Sequence, residues 1–190
     1  ITKGPTDVLD HSSREWSYGS KLIIDGTQKT WEEGKAVPWT PAFARDTHSL
    51  PKLEGILEQS QPGGGIWWVA LQKTRPHQGL ELGKLLAATP EAAGIRLIAI
   101  VDDETNVLDP EDAFWTLLNN IDPERDSSIE KGATGQVLVL DGSRKIAEEG
   151  FTRTWPPKIS MPPEIAKLVD TRWEEYKLGV PCPKSPTGRL

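Results

Sequence analysis

Cys182 is the only cysteine in this sequence of 190 residues. An intrachain disulfide is therefore impossible and a thiolate metal cluster is excluded, so a reducing, cytoplasmic setting is the expectation. No apolar run approaches the roughly 20 residues that span a bilayer, and no membrane helix is expected. Positive charge is also short. Twenty-two Lys and Arg stand against 28 Asp and Glu, a net charge of −6, and the basic residues form no stripe. That argues against a nucleic-acid backbone as partner, since affinity there comes largely from Lys and Arg. No catalytic constellation is complete.

Eight tryptophans are present, an excess that suits a core or a subunit interface. A chain of this length fits one domain, or one and a piece of another. Its clearest stretch is Leu97–Asp103, an apolar run closed by acids, which reads as a strand buried on both faces. Asp109 then supplies a helix N-cap, Pro110 a first helical position, and Glu111 and Asp112 negative charge beside the helix dipole. Phe114, Leu117, Leu118 and Ile121 recur as one helical face.

Upstream, Leu22–Asp25 reads as a short strand, Leu50–Glu58 as a short helix, and Gln61–Gly65 as a turn at a domain boundary. Ile66–Leu71 reads as a strand, in which Trp67 and Trp68 face opposite ways, so that one is free to reach solvent or a partner while core is the expectation for at least one. Gln78–Ala88 reads as a helix, with Gly83 against it. Strand, helix, strand and helix at these spacings imply βαβ units: an α/β fold with a mixed or mostly parallel sheet flanked by helices. Gln136–Leu140 adds a strand. Ser160–Pro163 starts a last helix with the stripe Ile165, Leu168, Val169, Trp173 and Tyr176, expected to be buried against its own domain or another subunit, and Gly179 suits its end.

Leu22–Gly34 aligns without gaps to Leu138–Gly150, matching Asp25 to Asp141, Gly26 to Gly142, Lys29 to Lys145, and Trp39 to Trp155 beyond. The expectation is a duplicated unit whose first copy is partial. Residues 1–60 would be the tail of a preceding lobe, 61–179 a C-terminal α/β lobe, and 180–190 an extended tail. The chain would then be the C-terminal part of a longer protein.

Three stretches resemble the C-terminal region of the UbiD decarboxylase family: GPTDVLDHSSREWSYGSKLIIDGTQK, IAIVDDETNVLDPEDAFWTLLNNIDPERD and GFTRTWPPKISMPPEIAKLVDTRWEEYKLG. Their order is most like that of the longer members of menaquinone biosynthesis. The resemblance implies a non-oxidative carboxy-lyase of aromatic or unsaturated acids that uses prenylated flavin mononucleotide with manganese and potassium. In the family the catalytic and metal residues lie in N-terminal and middle regions, so no catalytic, cofactor or metal residue is assigned to this chain. Alone it is expected neither to bind the cofactor nor to turn over. What it is expected to contribute is oligomerisation surface and a substrate-pocket loop, Gly4 to His11, with Gly4, Pro5, Thr6, Val8 and His11 as candidates. Its implied partners are its own N-terminal catalytic region, further copies of itself and, in the full protein, an aromatic acid.

Other candidates have plainer readings. Asp10-His11 and Asp46-x-His48 could be metal or acid–base pairs, but short side chains in turn-rich loops commonly hydrogen-bond the backbone. Asp102 and Asp103 end a parallel strand where α/β sheets bind ligands, yet capping and loop hydrogen bonds suit them better. Gly63–Gly65 precedes a strand instead of following one, so it is no phosphate loop. Lys29 and Lys145 recur in the repeat, which favours structural ion pairs. The alternative to the decarboxylase reading is a non-catalytic α/β interaction module.

Overall fold

The computed structural model of the protein describes residues 1–24, 50–158 and 161–182. The chain divides into two compact units, Ile1–Trp155 and Pro156–Leu190. In the first unit, β1 (Thr2–Pro5) and β2 (Tyr18–Lys21) form an antiparallel pair. A five-stranded sheet follows, built from β3 (Ile56–Gly63), β4 (Ile66–Leu71), β5 (Leu97–Asp102), β6 (Ser127–Gly132) and β7 (Gly135–Gly142) in the order β3-β4-β5-β7-β6. The central β4, β5 and β7 run parallel, and β3 and β6 close the edges antiparallel. This is the expected mixed sheet.

Helices cover its two faces. On one, α1 (Gln78–Ala87) lays Leu82 and Leu86 over Trp67, Val69, Ile98, Ile100, Val137 and Val139. On the other, α2 (Pro110–Asn120) lays Ala113 and Leu117 over Trp68, Ala99, Val101 and Leu140. A short α3 (Pro123–Asp126) leads into β6. The two tryptophans of β4 do face opposite ways, but both are buried. Trp67 donates its indole N–H to Gln59 Oε1 at 3.2 Å, and Trp68 packs edge-on against Phe114 with centroids 4.7 Å apart. Each large apolar side chain so buried contributes about 1.5–3 kcal/mol. Gly83 proves to be a packing requirement, because a Cβ there would run into Val139.

Several expectations need correction. Asp109 caps α2 as read, accepting from Glu111 N–H at 3.0 Å. The buried face, however, is Ala113, Thr116, Leu117 and Asn120, while Leu118 is exposed. A polar residue sets the helix phase: the Asn120 side-chain amide donates to the Gly142 carbonyl at 2.9 Å. No helix forms over Leu50–Glu58; a turn there leads into β3 at Ile56. Gly63, Gly64 and Gly65 all have positive φ and turn β3 back into β4, and residues 60 and 61 lie within β3. Strand β6 was not foreseen at all.

Leu22–Ile24 is not a strand, and Ile23 and Ile24 are exposed, whereas Leu138–Leu140 sits inside β7. The two copies of the repeat therefore differ where both are described; Asp25–Gly34, with Lys29, Trp39, Asp46 and His48, lies outside the described residues.

In the second unit, α4 (Pro163–Thr171) begins where proline placement suggested and is followed by a 3-10 turn, Trp173–Tyr176. Gly179 takes a positive φ beyond them. Its stripe finds no burial within this unit. Ile165, Leu168 and Tyr176 are exposed, and Val169 and Trp173 are half-buried. The helix is amphipathic without a core of its own among the described residues.

Candidate functional site

The carboxyl ends of the parallel strands hold a network of buried ions. Asp141, near the end of β7, accepts from the Ser143 N–H at 3.0 Å and from its hydroxyl. Lys145 Nζ lies 3.4 Å from both Asp141 and Asp126 and donates to the Asp141 and Ser143 carbonyls at 2.8 Å. Arg125 forks onto Asp126 at 2.7 and 2.6 Å. Lys73, just past β4, donates to Glu149 at 2.6 and 2.8 Å and to the Arg144 carbonyl at 3.0 Å. Glu149 also accepts the N–H groups of Ile146 and His77 at 2.9 Å. Three cations thus meet three carboxylates, an arrangement that removes the penalty of unpaired buried charge.

The titration directions follow the partners. Burial alone would raise Asp141, but Lys145, Lys73 and Ser143 hold it below the ordinary carboxylate value. Glu149 is likewise lowered: burial would raise it, but Lys73 and the N–H groups of Ile146 and His77 together outweigh burial. For Asp126 burial wins over Arg125 and Lys145, and its pKa is raised. Asp102 is raised for the same reason despite Arg144, whose N–H it accepts at 2.7 Å; Arg144 also reaches Asp103 at 3.1 Å. The strand-end acids therefore serve loop geometry and ion pairing, as their plainer reading held, and Lys145 is the structural ion pair expected of it.

The predicted pocket loop lies elsewhere, against α2 and α3. Gly4 and Pro5 are in β1, and the Thr6 N–H donates to the Ser17 carbonyl at 3.0 Å. Thr6 Oγ1 is buried without a hydrogen-bond partner. Asp10 is used locally, accepting from Ser12 N–H and hydroxyl at 2.9 and 2.6 Å. His11 Nε2 is 3.0 Å from Asn120 Oδ1, and its ring meets Trp155 edge-on at 4.9 Å. Arg153 fastens the loop, its guanidinium donating to the carbonyls of His11, at 3.0 Å, and of Ser13. The same guanidinium lies over the rings of Trp16 and Phe151, at 5.0 and 5.3 Å. Ser20 donates to Asp122, anchoring β2 to the start of α3.

Val8 and Leu9 stand out at the tip, and Leu9 is 84% exposed. Leu9 is not among the expected pocket residues, though its place as an apolar residue between Asp7 and Asp10, whose side chains serve turns, is a sequence signal for it.

The divalent ion implied by the resemblance would need several uncommitted oxygens. No group of three His, Cys, Asp or Glu among the described residues could hold one, and the strand-end carboxylates are engaged by Lys, Arg and N–H groups. Nor does a glycine-rich loop follow a strand to hold a flavin phosphate. The described residues do not fit either group.

Residues 53–148 match the family model of the 3-octaprenyl-4-hydroxybenzoate carboxy-lyase C-terminal domain. An uncharacterized protein of Aquifex aeolicus is 33% identical over 144 residues, covering 67% of this chain and 29% of that protein. The anhydromevalonate phosphate decarboxylase of Archaeoglobus fulgidus is 23% identical over 129 residues, covering 62% of this chain and 30% of that protein. The closed form of the Sedimentibacter hydroxybenzoicus vanillic acid decarboxylase is 13% identical and covers 65% of this chain and 29% of that one, with a TM-score of 0.50, which speaks for the fold. The chain spans under a third of the length of the curated relatives it matches. By the model that matches half its length, this chain belongs to the UbiD C-terminal domain family.

Proposed function

We propose that this chain is the C-terminal part of a UbiD-type non-oxidative decarboxylase of aromatic or unsaturated acids, of the menaquinone-biosynthesis kind. The observation that carries this reading is the family match over residues 53–148, in a chain spanning under a third of its relatives' length. Prenylated flavin, manganese and potassium would be held by an N-terminal catalytic region. The chain's own part is to support assembly and to lend the loop Gly4, Pro5, Thr6, Val8 and His11 to the substrate pocket. A loop fastened at its base by Arg153 and His11, with apolar Val8 and Leu9 at its tip, suits that task. Residues 1–60 are proposed to close a preceding lobe.

The test compares the full encoded protein with residues 1–190, each supplied with prenylated flavin and manganese, in an assay of carbon dioxide release from aromatic acids. Turnover by the full protein and none by this chain is the expected result. An encoded protein that starts near Ile1, or no turnover from the full protein with any such acid, would favour the interaction module instead.

A further inference from the structure

We infer that Trp16 is a specificity-determining residue, the ring face it turns away from Arg153 being the platform on which the ring of an aromatic carboxylate lies. This deepens the decarboxylase reading, on which it rests for the place of the pocket. Trp16 belongs to the same hairpin loop as the pocket candidates. Strands β1 and β2 pair as far as Pro5 and Tyr18, and the Thr6 N–H then ties to the Ser17 carbonyl. Residues 6–17 therefore leave and return as one loop. Val8 and Leu9 stand on one limb of it and Trp16 on the other, and all three are exposed, Trp16 by 68%.

The indole is held out by its neighbours. Ser17, directly after it, has φ +55°, in the left-handed region that residues other than glycine seldom adopt. Such a conformation persists only where the surroundings over-determine it, and it is a pointer to function. Here the surroundings are bonds on either side: Thr6 takes the Ser17 carbonyl, and the Glu15 carbonyl accepts the Ser13 hydroxyl at 2.9 Å and the Tyr18 N–H at 3.3 Å. The Arg153 guanidinium then lies 5.0 Å from the Trp16 ring centroid and 5.3 Å from that of Phe151. Trp16 is thus fixed by a cation on one face and open elsewhere.

The cation selects the ligand. The polar partners of Arg153 are the carbonyls of Asp10, His11 and Ser13 and the Ser13 hydroxyl, none of them a carboxylate. Its Nε is buried with no hydrogen-bond partner. The positive charge is therefore balanced by no ion pair among the described residues. A guanidinium over one face of an indole is attracted by the ring's π density and draws it inward, so the other face suits an electron-rich ring. A carboxylate on that ring gains further from the cation, because the indole between them screens less than water. Trp115 makes the contrast: it is 70% exposed but sits on no cation and no ring among the described residues.

The test follows the indole N–H resonances of the chain, residues 1–190, as benzoate is added; the Trp16 signal is the one missing from Trp16→Phe. The expected result is a saturable shift of that signal at millimolar benzoate, the range open to so small a ligand. Trp16→Ala should weaken binding by at least about 10-fold, while Trp16→Phe, which keeps a ring, should stay within about 3-fold. Trp115→Ala should bind as the wild type does. Benzamide, without the charge, and cyclohexanecarboxylate, without the ring, should each bind about 5-fold more weakly. The remaining indole signals report whether each variant is folded. No saturable shift of the Trp16 signal, binding that survives in folded Trp16→Ala, or equal binding of all three ligands overturns the inference. The decarboxylase reading fails separately, on carbon dioxide release by the full protein, which this binding measurement does not use.

Discussion

The sheet closes its two ends by different means. At the carboxyl ends of β4, β5 and β7 the fill is ionic, with Lys73, Lys145 and Arg125 set among Asp126, Asp141 and Glu149. At the amino ends it is hydrocarbon, Ile66, Leu97 and Leu138, and half of it stays open. The ionic end pairs each cation with a carboxylate, which ties the segment 143–150 and helix α3 to the strand ends. The hydrocarbon end makes no such demand, since apolar contact is non-directional. Position is fixed by directional bonds at one end and only by packing at the other.

The sharpest way to break that contrast is Lys145→Met. It leaves Asp126 and Asp141 facing each other without the cation between them, and about 3–5 kcal/mol of stability should be lost. Urea unfolding checks it; a loss under 1 kcal/mol would mean that the network is not what holds this end. In the layer between the ends, Gly83→Ala should cost about 1–3 kcal/mol, because the added methyl meets Val139. A neutral result would show α1 free to lift from β7.

The ionic end should also titrate in two opposing senses. Asp141 and Glu149 have lowered values, so their contribution is complete above the ordinary carboxylate pKa and is lost as pH falls through the lowered one. Asp126 is raised, so its contribution is complete below the ordinary value and is lost as pH rises through the raised one. Asp126→Asn removes only the second effect. Its stability relative to the wild type should therefore climb as pH rises from about 4 toward 7, the span above the ordinary Asp value; a difference flat with pH would contradict the raised value. The smallest effect belongs to the hydrocarbon end. Ile129→Ser should change unfolding free energy by about 0.5 kcal/mol or less, because that side chain is 67% exposed; urea unfolding checks it.

The sequence showed the middle of this fold and missed its rims, and the reason is physical. Strands β4 and β5 are continuous apolar runs because both faces are buried, and such runs announce themselves. Strand β6, Ser-Ser-Ile-Glu-Lys-Gly, covers little and so carries no hydrophobic signal. Strand β3 misled more actively, since Gln59, Ser60 and Gln61 are buried polar residues. What stabilises Gln59 there is hydrogen bonding to the Pro51 carbonyl and the Trp67 indole, which no periodicity encodes. The phase of α2 was likewise set by Asn120, a polar anchor in a helix read for its apolar stripe. At the candidate site, the Asp10 and Lys145 readings hold because both rest on short-range chemistry. The grip of Arg153 on residues 140 or more positions away could not have been seen, for only the folded chain brings them together.

Because Arg153 holds the carbonyls of His11 and Ser13, and Ser20 donates to Asp122, the first twenty residues are moored at their middle and at their far end to residues beyond 120. Covalent continuity is then only one of the ties that keep them in place. A chain cleaved between residues 25 and 49 would still have every one of these moorings, and the two pieces should co-purify as a nicked but assembled whole.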